Sequence, residues 1–266
     1  MKLIYPNYYE NFKCIQSACR HNCCIGWEID IDAQTLSLYE QYPHIMAHID
    51  TDPPHFILDE QERCPFLNAD NLCEIICRFG EEALCDICAS HPRFHNEFED
   101  HTEIGLGLCC EAACRLILGQ GNTVKFNGLP ISHLAIHTVQ NRQKPIGDRL
   151  PPLPDRPWAQ ILRRLERMDP TWDDMLDLLD APQSPDFENH MSDRQTEYEQ
   201  LAVYLLYRHN SIAFAAFGYH ILHAIGAAFF HKHDRFTFED QVELCRLFSC
   251  EIEYSEENLN TIFDLL

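Results

Sequence analysis

Basic residues are scarce in this sequence. Lys and Arg number 20 against 42 Asp and Glu, so the 266-residue chain carries a formal net charge of −22. A net charge of this sign repels the phosphate backbone of nucleic acids and attracts cationic surfaces. The composition therefore argues against a nucleic-acid partner and favours a protein partner that exposes lysine side chains.

The start of the chain lacks the pattern of a secretory signal. Residues 1–13, MKLIYPNYYENFK, contain acidic and aromatic residues where a signal peptide needs an uninterrupted apolar core. We therefore expect a cytoplasmic protein, in a reducing compartment where disulfide bonds do not persist.

Long hydrophobic runs are absent with one exception. No Asp, Glu, Lys or Arg occurs between Arg208 and Lys232, and that stretch is long enough to cross a bilayer. Its histidines, glycines and alanines make it less apolar than a leucine-rich span, and it has no basic flank bias. The sequence predicts a buried helix here and no membrane-spanning segment.

Cysteine, in contrast, is abundant. Twelve of the 14 cysteines fall between Cys14 and Cys114. The expected reducing compartment and the adjacent pairs Cys23-Cys24 and Cys109-Cys110 argue against a network of disulfides. Metal ligation by thiolates accounts for the clustering better. The isolated Cys245 and Cys250 lie in a helical pattern and are predicted to be core residues.

Helical patterns dominate the rest of the chain, so the predicted fold is mainly α. We expect a cysteine-rich metal-binding N-terminal domain of short helices with at most a small sheet, and a C-terminal helical bundle. Five prolines between Lys144 and Trp158 favour an extended connector. The predicted boundaries are residues 1–143 for the metal domain, 144–157 for the connector and 158–266 for the helical domain.

Local signals predict individual elements. Asp32 is a candidate N-cap for a helix through LSLYEQY, and a second helix should follow Ile104 and stop at Gly119. Gly105-Leu106-Gly107-Leu108 is too short to be a nucleotide loop and suits a packing role. The best strand candidates are residues 55–60 and 123–128. Further helices are predicted over residues 158–168, 196–208, 238–252 and 258–266.

Two groups of cysteines carry spacings typical of metal sites. The first is Cys14-x4-Cys19-x3-Cys23-Cys24, and short loops of this kind bring several sulfurs to one point at small entropic cost. The second runs from Cys64-Pro65-Phe66-Leu67 through Cys73 to Cys85-x2-Cys88, where the last spacing matches half of a tetrathiolate site. Either zinc or an iron–sulfur cluster suits these thiols.

These motifs resemble the cysteine-cluster proteins typified by the flagellin lysine N-methylases. The matching segments in the cysteine region are FKCIQSACRHNCCIGWEIDID (12–32), CPFLNADNLCEI (64–75), GEEALCDICASHPR (80–93) and LCCEAACRLIL (108–118). The C-terminal segments EQLAVYLLYRH (199–209) and CEIEYSEENLNTIFDLL (250–266) are similar to the methylase branch of the family. The chain departs from the pattern in being shorter between the cysteine region and the C-terminal helices.

The resemblance implies a protein lysine N-methyltransferase that uses S-adenosylmethionine, acts on a flagellin-like protein with exposed lysines, and holds an iron–sulfur cluster of the 4Fe-4S type. Cys77 and Cys114 look like additions to the motif, and Trp27 and Arg93 are expected to pack beside the cluster. The thiols predicted as metal ligands are Cys14, Cys19, Cys23, Cys24, Cys64, Cys73, Cys85, Cys88 and Cys110.

Alternative functions stay open at this point. The protein could be a non-catalytic module that chelates or senses zinc or iron, because no familiar methyl-donor loop can be read in the sequence. Redox transfer through the cluster is a third hypothesis without a motif of its own.

The proton acceptor for methylation is not identified by the sequence. A lysine amine has a reference pKa of about 10.4, so a methyltransferase must remove a proton before the nitrogen can attack. Tyr204, Tyr207 and Glu199 lie on the helix that is similar to the methylase branch, but their apolar surroundings also suit core packing. The CxxxCxxC spacing of the common radical enzymes is absent, which predicts polar methyl transfer.

Overall fold

A computed structural model describes residues 2–266 of the protein. The chain forms two compact units, each described by itself below. The cysteine-rich unit is Lys13–Arg93, and the helical unit combines residues 2–12 with Phe94–Leu266.

The cysteine-rich unit consists of short elements joined by loops. Asp32 caps the first helix by accepting a hydrogen bond from the Thr35 backbone N–H at 2.9 Å, which confirms the predicted start. A small core of its own holds the unit together, with Ile29, Tyr39 and Phe56 among its buried residues. Its elements are α1 (Ala33–Tyr39), α2 (Pro43–Met46), β2 (Ile49–Thr51), β3 (Pro54–Phe56), α3 (Glu74–Phe79) and α4 (Asp86–Ser90).

A three-stranded sheet lies at the N-terminal side of the helical unit, in the order β1-β5-β4. Its central strand pairs in parallel with the first, with Lys2 opposite His101 and Ile4 opposite Glu103. The central strand is buried along its whole length, so its sequence does not alternate between apolar and polar residues. The strands are β1 (Lys2–Ile4), β4 (Arg93–Glu97) and β5 (His101–Leu106).

Helices make up most of the helical unit. Side-chain caps define several starts: Ser211 and Ser255 each accept a backbone N–H three residues on, and Thr237 with Asp240 forms a capping box. The helices are α5 (Glu111–Leu118), α6 (His133–Val139), α7 (Trp158–Leu162), α8 (Thr171–Asp177), α9 (Phe187–His190), α10 (Gln195–His209), α11 (Ile212–His233), α12 (Phe238–Phe248), a π-helix (Ser249–Glu253) and α13 (Glu256–Leu265).

The antiparallel pair α10 and α11 forms the centre of the main core. Helix α11 is the uncharged segment noted above, and it is the one helix among residues 2–266 that is long and apolar enough to span a membrane. Two thirds of its most apolar window is buried within the protein. Gly218 lets the helices approach closely, because a Cβ there would collide with the Leu205 side chain. This helix is therefore a core helix of the fold, as predicted.

The mainly α fold is confirmed, with thirteen α-helices and small sheets among the described residues. The Pro-rich segment 144–157 lies inside the helical unit, and the compact units divide at residues 12/13 and 93/94. The predicted domain boundaries at 143/144 and 157/158 differ from these divisions. They stay a prediction.

Two local predictions are wrong, and tertiary contacts explain both. Residues 123–128 form only an isolated antiparallel bridge, Phe126 with Pro6, beside which the Asn127 side chain bonds the Tyr5 N–H and the Leu3 carbonyl. The helix from Trp158 ends at Leu162, since the Glu166 and Met168 N–H groups donate to Asn258 and Glu251 side chains. The helix predicted after Ile104 is confirmed as α5, which begins at Glu111 and stops at Gly119.

Candidate functional site

The cysteine-rich unit contains eight of the nine predicted metal ligands. The ninth, Cys110, lies in the helical unit, where it precedes the first residue of α5. All fourteen cysteines lie among the described residues, and none of them forms a disulfide bond. The ligands within the cysteine-rich unit are Cys14, Cys19, Cys23, Cys24, Cys64, Cys73, Cys85 and Cys88.

Two pairs of thiols in this unit are hydrogen-bonded. Cys24 donates to Cys23, and this bond lowers the pKa of Cys23 to about 7 while it raises the pKa of Cys24. Cys88 donates to Cys85 in the same way, so the pKa of Cys85 is lowered and that of Cys88 is raised. The second pair forms because Cys85 is the N-cap of α4 and Cys88 follows one helical turn later.

Cys64 and Cys73 bring the two pairs into one neighbourhood. Burial, together with the nearby Cys73, Cys85 and Cys23, raises the pKa of Cys64 to about 11. The pKa of Cys88 in turn responds to Cys24 and Cys64, after its bond to Cys85 and its burial. We call these six residues the central thiol group: Cys23, Cys24, Cys64, Cys73, Cys85 and Cys88.

The other two cysteines of this unit make local bonds. Cys14 is exposed and accepts a hydrogen bond from the Gln16 N–H at 3.3 Å. The Cys19 thiol donates to the His21 carbonyl at 3.0 Å. Trp27 donates its indole N–H to the Cys23 carbonyl at 2.6 Å, which ties this ring to the central thiol group.

The donor chemistry of the central thiol group fits a thiolate-bound centre, because soft sulfur ligands select iron–sulfur clusters and zinc. A single tetrahedral zinc ion with Zn–S of about 2.3 Å would need four sulfurs about 3.8 Å apart. Within residues 2–266 no group of three or more His, Cys, Asp or Glu side chains has such a mononuclear arrangement. The metal and its ligands therefore stay a prediction.

A second group of chemically active residues lies in the helical unit, around Glu253. The π-helix ends at this residue, and π-turns of this kind occur often at functional sites. Its carboxylate is fully buried and faces the last turns of α10. It accepts hydrogen bonds from the Tyr204 hydroxyl at 3.1 Å and from His209 at 2.6 Å, and it pairs with Arg208 at 3.3 Å.

The guanidinium of Arg208 lies between two aromatic rings. It is 5.2 Å from the Phe94 ring centre and 4.8 Å from that of Tyr254. Two glycines at the end of β5 make room for this arrangement. A Cβ at Gly105 would overlap the Phe94 ring, and one at Gly107 would overlap the Tyr254 hydroxyl. The glycine pattern thus serves packing, as predicted.

Electrostatics keep Glu253 ionised. Burial would raise its pKa, but the Arg208 guanidinium and the bond from His209 outweigh burial, so the pKa of Glu253 lies below its ordinary value. Burial raises the pKa of Tyr204 well above that of a free tyrosine, so its hydroxyl keeps its proton. We call these residues the Glu253 site: Tyr204, Arg208, His209, Glu253 and Tyr254.

The three residues considered from the sequence have different roles here. Tyr204 belongs to the Glu253 site, whereas the Tyr207 hydroxyl donates to the carbonyls of Ile4 and Ile104 and so joins α10 to the sheet. Glu199 is buried in ion pairs with two arginines, Arg142 at 2.7 Å and Arg149 at 2.8 Å. Tyr207 and Glu199 therefore stabilise the fold and do not belong to the Glu253 site.

Sequence reasoning missed Arg208, His209, Glu253 and Tyr254. A signal was present, because these residues lie in the two C-terminal segments for which the sequence predicted a resemblance to the methylase branch, residues 199–209 and 250–266. The isolated Cys245 is buried and accepts a bond from Gln241, and Cys250 accepts one from Arg246. Cys245 is thus a core residue as predicted, whereas Cys250 is only partly buried.

Comparisons with known proteins give relatives of one kind. Two curated proteins named Lysine-N-methylase, from Salmonella typhimurium and Salmonella choleraesuis, are each 28% identical to this chain over 153 residues. The Flagellar biosynthetic protein FliU of Salmonella muenchen is 27% identical over 126 residues, which are 42% of this chain and 75% of that protein. No family model matches the chain, and no solved structure matches it.

The extent of the match is partial. It covers 50% of this chain but 37% of each lysine-N-methylase, so the matched region spans little more than a third of those relatives. The resemblance predicted from the cysteine motifs is confirmed: this chain is similar to proteins named lysine-N-methylases over about half of its length.

Proposed function

We propose that this protein is a protein lysine N-methyltransferase that uses S-adenosylmethionine and acts on a flagellin-like substrate. One observation carries the proposal. The Glu253 site joins a buried carboxylate, whose pKa is lowered, to the Tyr204 hydroxyl, and its residues come from the two C-terminal segments in which the sequence predicted a resemblance to the methylase branch. The names of the relatives, which refer to lysine methylation and to flagella, support the substrate class.

The chemistry of this site suits lysine. An ammonium group must lose one proton before its nitrogen lone pair can form a bond to the methyl carbon. In the proposed mechanism this proton passes to the Glu253 carboxylate, which the Tyr204 hydroxyl orients through a hydrogen bond of 3.1 Å. The methyl donor, when bound, supplies a carbon whose bond to sulfur breaks with both electrons leaving on sulfur. Arg208 and His209 hold the carboxylate in place from the protein side.

The central thiol group is the part of the chain best suited to hold an iron–sulfur cluster. Its six thiols exceed the four that one cluster needs, so the remainder would pack around the ligands. We propose that the cluster organises the cysteine-rich unit and that methyl transfer is polar. A lysine nitrogen is a sufficient nucleophile once it is deprotonated, so the reaction needs no radical.

Methylation of purified flagellin tests the proposed base. Glu253→Gln should lower kcat by about 100-fold or more, since general-base catalysis contributes about 10²–10⁴. Tyr204→Phe keeps every charge of the site and serves as a second variant if Glu253→Gln unfolds. Glu257 lies four residues after Glu253 and is exposed, so Glu257→Gln is the matched control. Full activity of a folded Glu253→Gln protein would exclude Glu253 as the proton acceptor.

The role of the cluster needs a separate assay. Methylation should proceed without a low-potential reductant and yield S-adenosylhomocysteine in step with methyl-lysine. A strict need for reductant, with 5′-deoxyadenosine formed in proportion to methylation, would exclude the polar mechanism.

A non-catalytic metal module is the second candidate, and the cavities favour it. Two cavities among the described residues hold about 50 Å³ beside Met175 and Phe229 and about 10 Å³ beside Phe66 and Phe79. Small-molecule sites usually hold about 300–1,000 Å³. Equilibrium binding of S-adenosylmethionine separates the candidates: saturable binding supports the enzyme, and no binding at millimolar concentration supports the module.

A further inference from the structure

The segment around α6 differs in charge from the rest of the protein. No Asp or Glu occurs between Glu111 and Asp148, although the chain has 42 acidic residues. Basic residues in the same segment include Lys125 and Lys144, both of which are exposed. At physiological ionic strength the screening length is about 8 Å, so nearby charges dominate over the distant acidic residues. This part of the surface therefore attracts anionic groups.

Three apolar side chains in the middle of this segment are exposed. Leu129 is 68% exposed, Ile131 48% and Leu134 72%. They lie within six residues, on the loop before α6 and on its first turn. Grouped exposed apolar side chains with polar neighbours are typical of protein interaction sites. We call these three residues the α6 surface.

The fold holds this surface in a defined position. The Ile131 N–H donates to the carboxylate of Glu103, which is fully buried on β5. The Asn127 side chain, two residues before Leu129, accepts a hydrogen bond from the Tyr5 N–H and donates one to the Leu3 carbonyl of β1. A partner would therefore meet a preformed surface and would not have to order a loop first.

The same strand connects the surface with the Glu253 site. Glu103, which anchors the α6 surface, lies two residues before Gly105, which contacts the Phe94 ring beside Arg208. Two residues of a strand span about 7 Å. The anchor of the α6 surface and the packing contact of the Glu253 site therefore lie two residues apart on one strand of the same unit.

We propose that the α6 surface binds the protein substrate, through a segment that presents apolar side chains flanked by carboxylates. This inference rests on the proposed function, because it takes the Glu253 site as the place of methylation. The apolar side chains of the substrate would cover Leu129, Ile131 and Leu134, and its carboxylates would face the exposed Lys125 and Lys144 of the same segment. Binding here would hold the substrate while one of its lysines reaches the site.

The test compares three variants with flagellin as the probe. Leu134→Glu removes the apolar contact and adds a repelling charge, so KM for flagellin should rise at least about tenfold with kcat unchanged. Leu134→Lys removes the same contact but adds an attracting charge, so KM should rise by only about threefold. Ile57→Glu alters an apolar side chain that is 49% exposed in the cysteine-rich unit and should leave both constants unchanged.

Direct binding of flagellin to the same variants separates the possible failures. Methylation with identical KM for all variants would overturn the α6 surface and leave the proposed function intact. Flagellin binding that Leu134→Glu abolishes, without methylation by any variant, would overturn the proposed function and leave the surface as a protein-binding site. An equal loss of flagellin affinity in Leu134→Glu and Leu134→Lys would contradict the proposal that the bound segment carries carboxylates.

Discussion

The two compact units are stabilised in different ways. The cysteine-rich unit has no helix longer than seven residues, and its core consists of eleven buried side chains. The helical unit contains a helix of 22 residues and a core of forty-five. Short elements with a small core bury too little apolar surface to offset the entropy of ordering the chain. From this comparison we predict that the proposed metal centre adds to the small core in stabilising the cysteine-rich unit, whereas apolar packing suffices for the helical unit.

Metal removal should have the largest effect on stability, and this effect should be confined to the cysteine-rich unit. Structural metal sites contribute on the order of 10 kcal/mol to folding. Anaerobically purified protein should be brown and contain iron with inorganic sulfide. Stripping the metal should speed hydrogen exchange throughout residues 13–93 and leave α10 and α11 protected. Colourless protein with stoichiometric zinc would contradict the iron–sulfur cluster, and unchanged exchange would contradict the comparison itself.

Truncation in the main core should have the second largest effect. Phe217 is fully buried between Trp158, Phe214 and Phe248. Phe217→Ala should lower the free energy of unfolding of the helical unit by about 3–5 kcal/mol in urea. The metal content should not change, since the proposed metal site, the central thiol group, lies in the cysteine-rich unit. Phe263→Ala, at a partly exposed ring, is the control and should cost much less.

Single cysteine changes sharpen the comparison further. Cys64→Ser and Cys88→Ser, within the central thiol group, should reduce bound iron at least about tenfold. Cys245→Ser removes a fully buried thiol from the helical unit and should keep the iron. Iron and sulfide analysis of anaerobic protein is the measurement. Loss of iron in Cys245→Ser, with retention in Cys88→Ser, would contradict the assignment of the centre to the cysteine-rich unit.

The smallest effect concerns pH and the Glu253 site. Because the folded pKa of Glu253 is lowered, its ion pairs stabilise the protein fully above the unfolded pKa of about 4.3. That stabilisation is lost as the pH falls through the folded value. The urea midpoint of the helical unit should therefore fall faster below about pH 4.3 in the wild type than in Glu253→Gln. Parallel curves for the two proteins between pH 6 and pH 3 would contradict an ionised Glu253.

Much of the helical architecture could be predicted from local signals. The cap at Asp32, the stop at Gly119 and helices α10 to α13 follow from patterns within a few residues of each element. The errors at residues 123–128 and 158–168 arose where distant side chains, Asn127 and Asn258 among them, competed for backbone groups. Competition of that kind has no local signal, because its partners are far apart in the chain.

The sequence by itself determined the thiol chemistry of this protein, since the ligand candidates lie in short loops whose spacing is visible along the chain. The tertiary structure alone decided which polar residues form the Glu253 site. Tyr204 and Glu253 are 49 residues apart, and the packing of α10 against the π-helix brings them together. It also separated Tyr204 from Tyr207 and Glu199, which share its helix, because each faces a different neighbour around that helix.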